Sequence, residues 1–185
     1  MKWTVLSDNR TNDSRLETEH GLSILLETDR HRILLDTGAS DVFIHNAEHL
    51  GIDLSTVDYV FISHGHSDHG GGLRYLMGIN QRAKIIVSPD ALNGKFISKR
   101  GHIHSISTEW PKVSKERLIT IDKSCEIVDG IYIIAHIPQM HPMPKGNQHL
   151  FVQEVEGDYT RVTISVMSWR YIQTDCSLRV ALIAV

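Results

Sequence analysis

This sequence has few cysteines, no long apolar run and no basic cluster, and each shortage excludes a class of protein. Its two cysteines, Cys125 and Cys176, form no CxxC pair, which excludes a disulfide-stapled scaffold and favours a reduced compartment. No apolar stretch approaches the ~18 residues that a membrane span needs. Met1 leads directly into a strand-like run without a signal peptide, so we expect a cytoplasmic protein without a membrane partner.

The charge and length of the chain limit its partners and its organisation. The formal net charge is −3 at pH 7, which gives no reason to expect a nucleic acid partner. We expect a small-molecule substrate instead. A length of 185 residues with 41% hydrophobic residues suits one domain with its own core.

Hydrophobic patterning predicts a layered α/β structure, with a sheet and helices outside it. Strands are predicted at Trp3–Leu6, Leu22–Glu27, His31–Leu35, Val57–Ile62, Lys84–Val87 and Arg117–Ile121, and in a hairpin of Glu126–Val128 with Ile131–Ile134. Helices are predicted from an N-cap at Ser40 to Gly51, over Leu73–Met77 with Gly78 as the end, and over Asp90–Lys99. Residues 100–116 and 136–160 are predicted to be loops.

Three histidines and an aspartate follow the apolar run Val57–Ile62 and precede three glycines. In an extended backbone His64, His66 and Asp68 would share one face, with His69 turned elsewhere. Neutral imidazole suits zinc, at about 2.0–2.1 Å from the ion, and carboxylate oxygen is a common partner. The pattern therefore predicts two metal positions, with His64 and His66 on one ion and Asp68 and His69 on a second.

The segment His-Gly-His-Ser-Asp-His resembles the HxHxDH motif of the metallo-β-lactamase superfamily. Further segments in the same order narrow the resemblance to a branch that includes the dihydropterin ribofuranosylaminobenzene phosphate synthase-like proteins. These segments are Glu19-His20-Gly21-Leu22-Ser23, Leu34-Leu35-Asp36-Thr37-Gly38, Asn46 and Gly51-Ile52-Asp53-Leu54. The resemblance covers about residues 1–160.

The resemblance implies an αββα sandwich and two zinc ions, with iron or manganese as alternative metals. It implies that a metal-activated hydroxide attacks an ester, phosphoester or amide-type substrate, with Asp68 holding the second ion and orienting the nucleophile. It also places Asp36 beneath the metal loop, residues 63–72, as support for the ligands, although an aspartate that caps a turn is a simpler alternative.

Three other functions stay open beside the hydrolase. The branch suggests a transferase or synthase acting on a pterin-like phosphate substrate. A diiron redox protein is disfavoured, because those proteins carry a carboxylate where His66 stands. A non-catalytic remnant is the third alternative.

The remnant alternative arises because two histidines of the family pattern are missing. One belongs to a Thr-Gly-Cys-Ser-His motif and the other lies near the C-terminus of the family. We therefore expect residues 1–160 to be the N-terminal portion of the domain, with the C-terminal half largely missing, and 161–185 to be an atypical tail. Weak or partial metal binding should result, and the apolar face left by the missing half could be covered by a homo-oligomer.

The tail itself suggests a slip of the reading frame near residues 160–166. Codons compatible with Met167–Tyr171 encode Asp-Glu-Leu-Ala-Leu when they are shifted by one base. The same shift converts codons compatible with Leu178–Ile183 into Thr-Gly-Cys-Ser-His. Both segments belong to the family pattern, so we predict that residues 161–185 are out of frame; a naturally divergent tail is the alternative.

The remaining histidines carry weaker signals. His45 and His49 lie four residues apart in the predicted helix after Ser40, and we assign them to its polar face, because no third ligand is nearby. His102 and His104 fall in a predicted loop, where a substrate entrance is the alternative to a plain surface. His136, His141 and His149 also lie in a predicted loop, and we predict none of them as a ligand.

Overall fold

The computed structural model describes residues 1–128, 130–135, 145–155, 158–161, 171–174 and 177–183. Within these ranges the chain forms three sheets and four short α-helices. No helix in them combines the length and the apolar character needed to cross a membrane.

The elements alternate between strands and helices at first and are mainly strands afterwards. The strands are β1 (Lys2–Ser7), β2 (Ser23–Glu27), β3 (Arg32–Leu35), β4 (Tyr59–Ile62), β5 (Lys84–Val87), β6 (Lys95–Ser98), β7 (His104–Ser105), β8 (Leu118–Thr120), β9 (Cys125–Val128), β10 (Ile131–Ile134), β11 (Leu150–Val155), β12 (Asp158–Arg161), β13 (Tyr171–Thr174) and β14 (Ser177–Ile183). The helices are α1 (Val42–His49), α2 (Ser67–Gly70), α3 (Leu73–Ile79) and α4 (Pro89–Asn93), with 3-10 helices at Leu54–Thr56 and Lys145–His149.

The largest sheet has the strand order β1-β2-β3-β4-β5-β8. Strands β1, β2 and β3 pair antiparallel, whereas β3, β4, β5 and β8 run parallel. Strand β4 lies inside the parallel part and is apolar throughout, which suits burial on both faces. Its carboxyl end is the place where open parallel sheets commonly carry ligand sites, and the metal loop begins there.

Two apolar layers cover the two faces of this sheet. Val60 and Ile62 of β4 pack into a core with side chains of α1 and α3, including Phe43 and Leu76. Phe61 points to the opposite face and packs with residues of β10. One face of the sheet is therefore covered by helices and the other by a second sheet, so the predicted layered α/β architecture is confirmed.

The two smaller sheets come from the second half of the chain. The second sheet has the order β13-β14-β10-β9, with β14 parallel to β10. The third has the order β12-β11-β6-β7 and is antiparallel throughout. A bridge between His66 and Ser107 joins the metal loop to the segment that follows β7.

Three sequence predictions beyond β5 are wrong, including the loop predicted over 100–116, which contains the short strand β7. The helix predicted over Asp90–Lys99 ends at Asn93, because Lys95–Ser98 forms β6 and pairs with β11. The loop predicted over 136–160 contains the hairpin of β11 and β12. The error in the helix has a clear cause, because β6 is stabilised by β11, more than 50 residues away, and local patterning does not reveal that partner.

Two helix boundaries also differ from the prediction. Asp41, not Ser40, is the N-cap of α1, and the Ser40 hydroxyl instead accepts a 3.3 Å hydrogen bond from the Val42 N–H. Helix α3 continues through Gly78 to Ile79, with Asn80 as its C-cap. The Asn80 side chain donates to three backbone carbonyls of the 3-10 segment, those of Leu54, Ser55 and Val57.

Candidate metal centre

The metal loop, residues 63–72, begins at the carboxyl end of β4 and contains α2. The carbonyl oxygen of His66 starts this helix by accepting from the backbone N–H groups of His69 at 3.1 Å and Gly70 at 3.0 Å. Because Asp68 and His69 are helical, they do not continue the alternation of His64 and His66. The prediction that His64, His66 and Asp68 share one extended face is therefore wrong.

Asp36 forms the floor of the loop. It is fully buried and adopts a left-handed backbone conformation, with φ of 54°. One carboxylate oxygen accepts the Ser63 N–H at 2.7 Å, and the other accepts the Ser63 hydroxyl at 2.8 Å and Nδ1 of His69 at 2.7 Å. A single carboxylate thus fixes both the start of the loop and one candidate ligand.

These contacts determine which ring nitrogens are available to a metal ion. His69 donates its Nδ1–H to Asp36, so the neutral form of the ring has its free lone pair on Nε2. The Ser63 hydroxyl gives its proton to Asp36 and therefore accepts from Nδ1 of His64 at 2.9 Å. His64 consequently also presents an unprotonated Nε2. This tautomer assignment follows from the hydrogen-bond network.

The potential ligand atoms of His64, Asp68 and His69 all lie within 4.8 Å of one another. The ring centroids of His64 and His69 are 4.2 Å apart. This is the one such group in the ranges that the structure describes. It joins His64 to Asp68 and His69, whereas sequence analysis paired His64 with His66.

His66 lies at the edge of this group and carries an unsatisfied buried atom. Its side chain packs edge-on against Phe96 and against His64, with ring centroids 5.1 and 4.6 Å away. The residue is 5% exposed, and its Nε2 finds no hydrogen-bond partner among the described residues. A buried polar atom without a partner is costly, and coordination to a metal ion would satisfy it. The donor set therefore fits a metal ion.

Burial keeps two of the histidines in the form that a metal needs. It lowers the pKa of His64 well below its ordinary value and lowers the pKa of His66 to about 4. Burial also acts to lower the pKa of His69, but the hydrogen bond and charge of Asp36, with the charge of Asp68, outweigh it and raise that pKa. At neutral pH His64 and His66 are thus neutral imidazoles.

The glycines after His69 let the metal loop pack closely against residues 37–40 of the same chain. A Cβ atom on Gly72 would overlap the carbonyl oxygens of Thr37 and Ser40. The backbone of Gly72 instead donates to the carbonyl of Gly38 at 3.1 Å. Close backbone approach, not a positive φ, is the reason for glycine here.

Glu19 fixes the turn at Ala39 and Ser40, and sequence reasoning gave it no role. One carboxylate oxygen accepts from the Ser7 hydroxyl and the Ala39 N–H, both at 3.0 Å, and the other accepts from the Ser40 hydroxyl at 2.7 Å. The motif Glu-His-Gly was its only signal in the sequence. Glu19 ties β1 to the turn after β3 and so supports the turn that contacts the metal loop.

Most other histidines of the described residues lie apart from this group of ligand atoms. On α1, His45 lies near Glu17 and Asp41, at 3.3 and 3.9 Å, and is half exposed. His102 and His104 are exposed, with ring centroids 4.9 Å apart, and His149 is exposed at the end of the 3-10 helix. His136 and His141 lie outside the described residues, as do residues 137–139.

The chain resembles proteins of one family over most of its length. The profile of the metallo-beta-lactamase superfamily matches residues 16–144. The uncharacterized protein MJ0448 of Methanocaldococcus jannaschii is 32% identical over 136 residues, which are 73% of this chain and 53% of that protein. The 7,8-dihydropterin-6-methyl-4-(beta-D-ribofuranosyl)-aminobenzene-5'-phosphate synthase of the same organism is 31% identical over 103 residues, 52% of this chain and 35% of the synthase.

A solved structure of a protein from the same superfamily also resembles this chain. The crystal structure of Tm1679, a metal-dependent hydrolase of the beta-lactamase superfamily, superposes with a TM-score of 0.67 and 30% sequence identity. It covers 86% of this chain, whereas this chain covers 56% of it. The chain thus spans about half, or less, of the relatives it matches. With its fold and sequence both matched, the chain belongs to the metallo-beta-lactamase superfamily.

Proposed function

We propose that this chain binds zinc at His64, His66, Asp68 and His69 and is the N-terminal part of a metal-dependent hydrolase. The observation that carries the proposal is the convergence of the ligand atoms of His64, Asp68 and His69 within 4.8 Å. The superfamily makes metal-dependent chemistry the expected use of this geometry, and the dinuclear site and the substrate class are the parts we propose.

Each residue has a distinct task in this proposal. His64 and His69 present Nε2 lone pairs. The Nδ1–H of His69 donates to Asp36 directly, whereas that of His64 donates to the Ser63 hydroxyl, which in turn donates to Asp36. Asp68 would hold the second ion and would orient the nucleophile. Zinc at such a site supplies a coordinated water with a pKa near 7 and stabilises developing negative charge on an ester, phosphoester or amide-type substrate.

The donor set favours zinc over manganese. Three of the four candidate ligands are imidazoles, and imidazole suits zinc, whereas carboxylate and water suit manganese. The low pKa of His66, about 4, also keeps its ring neutral at physiological pH. Metal analysis of protein purified without added metal would identify the ion.

Metal titration tests the proposal directly. We expect the chain to bind zinc and His64→Ala or His69→Ala to remove that binding, as measured by competition with a chromogenic chelator. His49→Ala on α1 is the matched control, since its side chain is exposed and is bonded to the carbonyl of His45, away from the metal loop. Unchanged zinc binding in both loop variants would refute the proposed site.

Activity should be low in this chain. Four side chains shared between two ions leave both under-coordinated, so we expect weak or partial loading and slow turnover of ester and phosphodiester substrates. Two tightly bound zinc ions per chain together with rapid turnover would contradict this expectation.

A synthase is the second candidate, because the chain is 31% identical over 103 residues to the dihydropterin aminobenzene phosphate synthase. Product analysis with a pterin-like phosphate substrate separates the two. Water-dependent cleavage supports the hydrolase, and formation of a new carbon–carbon or carbon–nitrogen bond supports the synthase.

A further inference from the structure

We propose that His20 is a positioning residue for the metal centre, which holds the Asp68 carboxylate in place while Asn9 fixes the orientation of the His20 ring. The inference rests on the proposed function, since it assumes that Asp68 is a metal ligand. It concerns a histidine 48 residues before Asp68 in the chain, in the turn that precedes β2.

The Asp68 carboxylate lies between two imidazoles. Nε2 of His20 is 3.4 Å from Oδ2 of Asp68, and Nε2 of His69 is 3.8 Å from the same oxygen. The His69 side chain is 20% exposed, whereas that of His20 is 80% exposed. His20 is absent from the group of mutually close ligand atoms formed by His64, Asp68 and His69, which favours a supporting role over coordination.

Asn9 determines which nitrogen of His20 carries the proton. Its side-chain oxygen accepts the Gly21 N–H at 3.4 Å, so its amide nitrogen faces Nδ1 of His20 at 3.0 Å. An amide N–H donates, so Nδ1 is the acceptor and the neutral ring carries its proton on Nε2. Nε2 is the ring atom that lies 3.4 Å from Oδ2 of Asp68. The 3.4 Å separation is slightly longer than a hydrogen bond of about 2.7–3.2 Å, so the contact is an electrostatic attraction between the ring N–H and the carboxylate.

The backbone holds His20 at this place although its ring is exposed. The N–H of Leu22 donates to the carbonyl oxygen of Asp68 at 3.2 Å. A Cβ atom on Gly21 would lie 2.8 Å from the same carbonyl oxygen, closer than real Cβ atoms approach, so glycine permits this contact. Gly21 and Leu22 therefore pack directly on the main chain of Asp68. Glu19, the residue before His20, is hydrogen-bonded to Ala39 and Ser40.

Holding Asp68 has a measurable consequence for metal affinity. Residues that hydrogen-bond to metal ligands typically change affinity by 10–100-fold when they are removed. Because His20 is largely exposed, we expect the lower end of this range. The coordinating atoms themselves would be unchanged.

The test compares His20→Ala, His20→Gln and His49→Ala in zinc affinity, by chelator competition, and in the visible absorption of cobalt(II) bound in place of zinc. We expect His20→Ala to weaken zinc binding about 10-fold. His20→Gln should restore most of that affinity, because its side-chain amide can donate to the carboxylate. His49→Ala should match the wild type, and at saturating cobalt all spectra should be the same.

Two results would overturn the inference. Wild-type affinity in His20→Ala would show that the contact does not hold Asp68. Equal loss in His20→Ala and His20→Gln, with an altered cobalt spectrum, would show that His20 is itself a ligand. If the wild-type chain binds no zinc, the proposed function fails and the inference fails with it. If the wild type binds zinc and His20→Ala binds it equally well, only the inference fails.

Discussion

The Asp36 carboxylate accepts a 2.7 Å hydrogen bond from Nδ1 of His69, across 33 residues of sequence. The same oxygen accepts the Ser63 hydroxyl at 2.8 Å. One buried acidic side chain therefore fixes the ring of a candidate metal ligand and the first residue of the loop that carries it. Loss of this carboxylate should affect metal binding and folding together.

Asp36→Asn should weaken zinc binding by about 10–100-fold, because it removes the charged acceptor of His69. It should also reduce the free energy of unfolding by about 1–3 kcal/mol, since buried polar partners lose a hydrogen bond. Asparagine is preferred to alanine because it tolerates the φ of 54° found at this position. Chelator competition and urea unfolding measure the two effects.

The control for this substitution is Asp29→Asn in the exposed turn between β2 and β3, which should leave both quantities unchanged. If Asp36→Asn binds zinc as tightly as the wild type, the carboxylate does not support the ligands. Asp36 would then act only as a turn residue.

Gly72→Ala should destabilise the protein by about 1–3 kcal/mol, because the new methyl group would overlap the carbonyl oxygens of Thr37 and Ser40. Gly78→Ala is the matched control, and its effect on the free energy of unfolding should be opposite. Gly78 lies within α3 with open space around it, and alanine there should stabilise the protein by about 0.4–1 kcal/mol. Urea unfolding measures both, and a stable Gly72→Ala protein would argue against the close packing of the loop.

The metal-free protein should lose stability as the pH falls below neutral. Burial lowers the pKa of His66 from 6.5 to about 4, so the unfolded chain binds this proton more readily than the folded one. The stabilisation is present above pH 6.5 and is lost as the pH falls toward 4, at about 1.4 kcal/mol per pH unit and up to about 3 kcal/mol for this one group. Burial of His64 acts in the same direction.

His69 does not offset this loss. Its raised pKa gives a stabilisation that is fully present below pH 6.5 and is lost only as the pH rises through the raised value. Urea midpoints with chelator present, between pH 7 and 4.5, should therefore fall more steeply for the wild type than for His66→Gln. The exposed-site variant His104→Gln should follow the wild type. Parallel curves for wild type and His66→Gln would contradict the assignment of the slope to His66.

The nucleotide sequence tests the proposed reading-frame slip. Bases of codons 166–171 should encode Asp-Glu-Leu-Ala-Leu in the neighbouring frame, and those of codons 178–183 should encode Thr-Gly-Cys-Ser-His. The codons of Met167 and Trp169 are unique, so the first segment depends little on codon choice. Other residues in that frame would leave a naturally divergent tail as the explanation.

The sequence was informative where each structural feature is local. The apolar run before Ser63 predicted a buried central strand, and β4 is one, with Val60 and Phe61 on opposite faces. Glycine at position 51 predicted the end of α1, and it adopts a φ of 69° there. The hairpins of β2 with β3 and of β9 with β10 were also confirmed, because their partners are neighbours in sequence.

The sequence was misleading where a distant partner decides the structure. Lys95–Ser98 follows a helix and has no strong strand pattern, yet it pairs with β11 more than 50 residues later. Helix α3 runs past Gly78 to a C-cap at Asn80, whose side chain bonds the distant carbonyls of Leu54 and Ser55. Local sequence patterns predict neither of these contacts, because each joins segments that are distant in sequence.

The sequence by itself determined the superfamily and the chemical character of the centre, because His64, His66, Asp68 and His69 fall within six residues after one strand. Only the tertiary structure decided how these groups are held. It placed Asp36 under His69, set Glu19 against the turn at Ala39 and brought His20 to Asp68. Spacing along a chain specifies which donors are near each other, whereas their protonation, burial and orientation depend on segments that folding brings from elsewhere.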